Sequence, residues 1–88
     1  MTTDPWGVEF ERRAEKDLER LDPQVKQRVL SAIGRLAEDP GSADLRKLTG
    51  RAEFRLRVGD WRVIIDLDVA ARAIVIERVL PRGRAYDR

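Results

Sequence analysis

The stretch FRLRVGDWRVIIDLD, residues 54–68, predicts a β-hairpin. Apolar residues occupy every second position on both sides of Gly59-Asp60, a pair typical of a tight turn. Successive side chains of a strand point to opposite faces, so Arg55, Arg57 and Arg62 are predicted to share the face opposite the core. Like charges that lie close together on one face repel each other, so folding alone does not call for this arrangement.

Two interpretations of this face are open. In the first, the three arginines form an exposed functional surface that binds an anion. In the second, the face is solvated and Asp66, Asp68 and Glu77 neutralise the arginines in ordinary surface ion pairs.

Around the hairpin, the pattern predicts two helices and two further strands. Residues 6–10 alternate like an edge strand, and residues 11–21 have apolar residues at helical spacing. Asp22-Pro23 provides an N-cap residue and a proline at the first helical position, so a second helix begins there and ends before Pro40-Gly41-Ser42. A last strand is predicted over residues 73–80.

These elements predict an α+β fold over a single domain, residues 1–88. An N-terminal strand and an antiparallel helical hairpin pack on a small, mostly antiparallel twisted sheet. The second helix is expected to bury one apolar stripe formed by Val25, Val29, Ala32, Ile33, Leu36 and Ala37. Trp61 has the parity of the core residues of the hairpin and is predicted to pack there.

Composition limits the chemistry. The 88 residues include no cysteine and no histidine, which leaves no disulfide, thiol nucleophile or imidazole acid–base group. We expect no metal and no cofactor. The sequence has no run near the roughly 20 apolar residues of a membrane span and no leader pattern at its start, so no membrane association and a cytoplasmic location are expected.

Charge is unevenly distributed along the chain. Residues 1–44 carry 7 basic and 10 acidic side chains, whereas residues 45–88 carry 11 and 6. Ten of those 11 basic residues are arginine, whose planar guanidinium suits bidentate contacts to phosphate. The C-terminal half is therefore predicted to bind a polyanion; the alternative is a codon bias towards arginine together with ordinary solubility.

The tail RVLPRGRAYDR, residues 78–88, combines four arginines with Tyr86. Guanidinium groups that hold phosphates beside a ring that stacks on a base are typical of a site for single-stranded RNA. The alternative is a basic terminus that serves solubility only.

The chain resembles the RelE/ParE superfamily of bacterial toxins from type II toxin–antitoxin systems over nearly its whole length. The resemblance lies in VEFERRAEKDLERLDP, in VKQRVLSAIGRLAEDP, in LRKLTGRAEFRLRVGDWRVIIDLD and in IVIERVLPRGRAYDR. Its most specific part is KLTG followed by a strand and then RVGDWRVI. The resemblance implies the same α+β fold.

The superfamily has two activities. RelE-like members are ribosome-dependent endoribonucleases that cut mRNA in the A site, and ParE-like members inhibit DNA gyrase. The resemblance favours the RelE-like branch and implies a catalytic set of Arg55, Arg57, Arg62, Arg82 and Tyr86. Arg55 and Arg57 replace lysines of well-known members, and the segment between Arg82 and Tyr86 is shorter here. A ParE-like gyrase inhibitor and a non-toxic homologue that only binds antitoxin are the alternatives.

The implied reaction is attack of the RNA 2′-OH on the adjacent phosphate, without metal. Arg62 is assigned to the phosphate, with Arg55 or Arg57 beside it, and Arg82 to the leaving oxygen. Because arginine is a poor general base, proton transfer is assigned to Tyr86 with a lowered pKa or to orientation aided by the ribosome. Three carboxylates are alternative bases: Glu53, Asp60 and Glu77.

The implied partners are the ribosome, mRNA and a cognate antitoxin, with operator DNA bound only through the antitoxin. Additional RNA contacts are predicted at Lys47, Arg51, Arg78 and Arg84. For the first helix, with Arg12, Arg13, Lys16 and Arg20, a solvated face is favoured over contact with rRNA.

Overall fold

The computed structural model describes residues 6–39, 45–47 and 53–81. Two helices and five strands follow one another along this part of the chain. They are β1 (Gly7–Phe10), α1 (Arg12–Glu19), α2 (Pro23–Glu38), β2 (Leu45–Lys47), β3 (Glu53–Val58), β4 (Trp61–Asp68) and β5 (Ala73–Pro81).

The strands form one mixed sheet in the order β1-β5-β4-β3-β2. β1 pairs with β5 in parallel, and the other neighbours are antiparallel. The α+β fold with an N-terminal strand, a helical pair and a mostly antiparallel sheet is thus confirmed. β2 was not predicted: with only three residues, it is too short to show an alternating pattern in the sequence.

The helices agree with the predicted positions and differ at their ends. α1 is shorter than the predicted 11–21, ending at Glu19. α2 begins at Pro23, where the proline lacks the N–H that a first helical position leaves unsatisfied. Asp22 holds the N-cap position, but its side chain makes no capping hydrogen bond. The predicted stop at residues 40–42 lies outside the described residues.

One apolar layer joins the helices to the sheet. α2 contributes Val29, Ile33, Leu36 and Ala37, all buried, while Val25 and Ala32 are partly buried beside them. From the sheet come alternate residues of three strands: Leu56, Val63, Ile65, Ile74, Ile76 and Val79. Trp61 packs against this cluster, as its parity predicted.

A β-bulge interrupts the pairing of β4 with β5. Ile64 lies opposite Arg78 and Ile65 lies opposite Ile76, so Glu77 is an extra residue on β5. The bulge shifts the alternation of β5 at the place where α1 packs on it, which brings Arg78 within reach of that helix. Within the described residues, neither helix has the length and apolar character to cross a membrane.

Candidate nucleic-acid interface

The sheet face opposite the helices carries the three hairpin arginines. Arg57 and Arg62 lie directly across from each other on β3 and β4, and Arg55 lies two residues before Arg57, opposite Ile64. We call Arg55, Arg57 and Arg62 the arginine cluster. The alternation in the sequence therefore predicted their common face correctly.

The prediction that Arg62 is exposed was wrong. Arg57 is exposed and Arg55 is half-buried, but Arg62 is only 4% exposed. Its Nη1 donates hydrogen bonds to the carbonyl oxygens of Trp61, at 3.1 Å, and Gly59, at 3.5 Å. β4 lies between β3 and β5, so neighbouring side chains flank Arg62 on both sides, whereas parity in the sequence gives only its face.

The acidic residues of this face lie at its other end. Glu53 is opposite Asp66, and the Asp68 carboxylate accepts a hydrogen bond from the Ala71 N–H at 3.1 Å. No acidic side chain of the described residues lies within 4.0 Å of the guanidinium of Arg57 or Arg62. The interpretation that surface ion pairs neutralise these two arginines is therefore wrong within the described part of the chain.

The pKa of the Glu77 carboxyl group is raised. Burial, a hydrogen bond with the side chain of Glu53, and the nearby charges of Glu53, Glu11 and Asp66 raise its pKa from 4.5 to about 7. Glu77 is one of the three carboxylates named as alternative bases, and a pKa of about 7 places it in equilibrium between its acid and base forms at neutral pH. Asp60, by contrast, is exposed in the β3–β4 turn.

Arg78 has a structural partner. Its Nε and Nη2 donate to the two carboxylate oxygens of Asp17 at 2.8 and 3.1 Å, and the Val79 N–H donates to the same carboxylate at 2.9 Å. Burial acts to raise the pKa of Asp17, but these hydrogen bonds and the charges of Arg78 and Arg20 lower it below 3.8. The guanidinium predicted to bind RNA is thus held by α1.

The remaining predicted site residues are described only in part. Lys47 is the last residue of β2, paired through its backbone with Phe54. Four others lie outside the described residues: Arg51, Arg82, Tyr86 and Arg84. The arginine cluster is therefore the part of the predicted site that can be built from the structure.

A second basic feature was not predicted. A groove of about 480 Å³ separates α2 from the end of β3 and the β3–β4 turn. We call it the α2 groove; it is lined in part by Arg28, Ser31, Arg35, Arg57, Val58 and Gly59. Arg28 and Arg35 are seven residues apart, so they lie on one side of α2, a signal that an ordinary solvated helix also gives. Arg57 belongs to both the groove and the arginine cluster.

The fold and the basic face together define a small α+β protein suited to binding a polyanion. The described residues contain no group of three or more His, Cys, Asp or Glu side chains arranged to hold a metal ion. Residues 8–86 match the model of a family described as the ParE toxin of the type II toxin–antitoxin system parDE. The chain belongs to this family. No curated protein matches the sequence.

Solved structures show the same fold. The toxin–antitoxin complex RelBE2 from Mycobacterium tuberculosis contains a chain that is 29% identical, with a TM-score of 0.75, over 89% of this chain and 99% of that chain. A chain of the archaeal RelE–RelB complex from Pyrococcus horikoshii is 29% identical, with a TM-score of 0.78, over 91% and 98%. The intact E. coli RelBE complex has a chain similar in fold, at 20% identity and a TM-score of 0.73 over 90% and 99%.

Proposed function

We propose that this family member is a ribosome-dependent endoribonuclease that cuts mRNA in the A site and acts in the cytoplasm. The observation that carries the proposal is the arginine cluster: a buried Arg62 directly opposite an exposed Arg57, without an ion-pair partner among the described residues. Burying a cation next to another cation costs free energy that a bound phosphate would offset.

The cluster fits a reaction in which RNA supplies the nucleophile. The 2′-OH gives its proton to a general base and attacks the adjacent phosphorus, and the bond from phosphorus to the 5′-oxygen breaks. The leaving 5′-oxygen takes up a proton, so a 2′,3′-cyclic phosphate and a 5′-OH result. Negative charge grows on the non-bridging oxygens during this step, and fixed guanidinium donors stabilise it. Arg57 is exposed and is assigned to direct contact with the phosphate, with Arg55 beside it.

Arg62 has a different role in this proposal from the one its sequence position implied. Its Nη1 is engaged by the carbonyl oxygens of Trp61 and Gly59, which fixes the guanidinium against the turn. Because its orientation is fixed before the substrate arrives, Arg62 supplies positive potential to the phosphate without reorganisation. It also lies directly opposite Arg57 across the strand pair, so both guanidinium groups are carried at the same level of the sheet.

Proton transfer is assigned to Glu77 as the described candidate, with Tyr86 as the candidate outside the described residues. Glu77 hydrogen-bonds with Glu53, which lies two residues before Arg55 on the same face of β3, a rise of about 7 Å. A carboxyl with a pKa of about 7 takes up and releases protons at neutral pH, as a general base must.

A cognate antitoxin is the proposed protein partner. The similar chain from M. tuberculosis is in a toxin–antitoxin complex, the one from P. horikoshii is in a RelE–RelB complex, and the family description names a toxin–antitoxin system. An acidic antitoxin segment that covers the arginine cluster would neutralise it by charge complementarity. Operator DNA is proposed to be contacted only through that antitoxin.

Mapping of mRNA 5′ ends on programmed ribosomes tests the nuclease. The wild-type chain is expected to cut in the A-site codon, and Arg57→Ala is expected to cut about 100-fold more slowly because one charge-stabilising donor is lost. Lys26→Ala, which removes an exposed cation of α2, is the matched control and should leave the rate within about two-fold.

Two further variants separate chemistry from folding. Arg62→Lys keeps the charge but cannot reproduce the planar donor set, so cleavage should fall. The urea midpoint of the same variant reports separately the stability lost with the hydrogen bonds to Trp61 and Gly59. Glu77→Gln should abolish a rise in rate between pH 6 and 8 if Glu77 is the base. Absence of A-site cleavage by the folded wild-type chain would refute the proposal.

The second candidate is a gyrase inhibitor of the ParE kind, favoured by the match to the ParE toxin family model. In that case the purified chain inhibits supercoiling by gyrase and leaves mRNA intact. Normal growth after induction without antitoxin, with neither effect, would instead identify a non-toxic antitoxin-binding homologue.

A further inference from the structure

We infer that the α2 groove binds the RNA strand next to the phosphate at the arginine cluster, through the guanidinium groups of Arg28 and Arg35. This inference rests on the proposed function, because the strand is taken to be the substrate. The α2 groove would then be a second RNA-binding surface beside the arginine cluster of the sheet.

The first observation is the position of Arg28. Its Nη1 lies 3.8 Å from the place where a Cβ on Gly59 would be, so the side chain reaches from α2 to the β3–β4 turn. The carbonyl of the same glycine accepts a hydrogen bond from Arg62. Two guanidinium groups, one from α2 and one from β4, therefore converge on Gly59.

The second observation is that the α2 groove and the arginine cluster share a residue. Arg57 lines the groove and is also the exposed member of the arginine cluster. β2 pairs with residues Phe54, Arg55 and Leu56 of β3, so Arg57 lies past the last residue that the described β2 pairs with. RNA that contacts Arg57 on the sheet face therefore lies where the arginine cluster and the groove meet.

The third observation is the size and charge of the groove. Arg28 and Arg35 are two helical turns apart, about 10.5 Å along the axis of α2, which suits an extended polyanion better than one small anion. Neither has an acidic side chain of the described residues within 4.0 Å. Gln27 and Ser31 add hydrogen-bonding groups between them.

RNA fits this groove better than an acidic protein segment. Among the described residues, the cations that line the groove are all arginine, and its apolar side chains are Ala32 and Val58, neither of them large or aromatic. Protein segments that bind in grooves depend on apolar anchors in pockets, whereas a nucleic-acid backbone needs only phosphate contacts.

The test is binding of a 12-nucleotide 2′-O-methyl RNA, which cannot be cleaved through its 2′-oxygen, measured by fluorescence anisotropy from 50 to 200 mM salt. Arg28→Ala/Arg35→Ala is expected to weaken binding about tenfold and to reduce the salt slope by about 1.4, for two lost phosphate contacts on a single strand. Arg28→Lys/Arg35→Lys should keep most of the slope.

The matched control is Arg12→Ala/Arg13→Ala, which removes two exposed guanidinium groups from α1, away from the groove. It should change affinity less than two-fold. An equal loss in the control, no binding by the wild-type chain, or unchanged RNA binding with weakened antitoxin binding in the groove variant would each overturn the inference. If ribosomal cleavage is absent but the groove variant loses RNA, the nuclease proposal fails and the groove assignment stands.

Discussion

Loss of the Asp17 carboxylate should destabilise the protein by about 2–4 kcal/mol. Asp17 is 8% exposed and accepts hydrogen bonds from Arg78 and from the Val79 N–H. In Asp17→Ala the buried Val79 N–H loses its acceptor, at a cost of about 1–3 kcal/mol. The Arg78 side chain is 30% exposed, so water replaces part of its interaction and the total stays below that of a fully buried pair, about 3–5 kcal/mol.

Urea unfolding followed by tryptophan fluorescence measures this loss, since Trp61 packs against the core. For a domain of this size each kcal/mol shifts the melting temperature by about 4–8 °C, so a fall of about 8–32 °C accompanies the change. A double-mutant cycle with Arg78→Ala should give a coupling energy of at least about 1 kcal/mol. Glu15→Ala, an exposed carboxylate of the same helix, is the control and should stay within about 0.5 kcal/mol.

The pH dependence adds a second check. The pKa of Asp17 is lowered in the folded protein below its ordinary 3.8. Its contribution is therefore fully present above about pH 4 and is lost as the pH falls through the folded pKa. The difference between wild type and Asp17→Ala should shrink below pH 3.8. Additive effects of the Asp17 and Arg78 changes, or a cost for Asp17→Ala below about 1 kcal/mol, would refute the assignment.

Three further predictions concern other parts of the fold. Glu77→Gln should remove a decrease in wild-type stability between pH 4.5 and about 7, because the raised pKa means that the folded protein loses stability as Glu77 deprotonates; urea midpoints at pH 5 and 8 measure it. Gly59→Ala should cost about 1 kcal/mol in the same assay, because φ is +59° while the nearest atom leaves ordinary room, and Gly59→Asn should cost less. Ile65→Ala, at a fully buried position, should cost about 2–5 kcal/mol in thermal unfolding.

Most of the fold could be predicted because the sequence signals are local. The two-residue period of residues 54–68 gave the hairpin and its register around Gly59-Asp60, and Asp22-Pro23 gave the start of α2. The short β2 and the bulge at Glu77 could not be predicted in this way, since both depend on pairing between strands rather than on a repeating pattern.

The sequence predicted which face of the sheet carries the arginine cluster, but it did not predict how deeply each side chain is buried. Alternation gave the common face of the arginine cluster, but the burial of Arg62 depends on neighbours from β3 and β5. The pairing of Arg78 with Asp17 joins residues 61 positions apart and requires both the bulge and the docking of α1. The α2 groove requires the distance between a helix and a turn, which no spacing along the chain expresses.

The charges of the sheet face would give the proposed RNA substrate a direction. Arg57 and Arg62 lie at the β3–β4 turn, whereas Glu53, Asp66 and Glu77 lie towards the other end of the same strands. A phosphate backbone is attracted to the first end and repelled from the second, and repulsion is strongest when Glu77 is ionised. RNA whose phosphate is held at Arg57 would therefore continue away from the carboxylates. This direction leads the RNA past the β3–β4 turn to α2. Deprotonation of Glu77 would strengthen this preference.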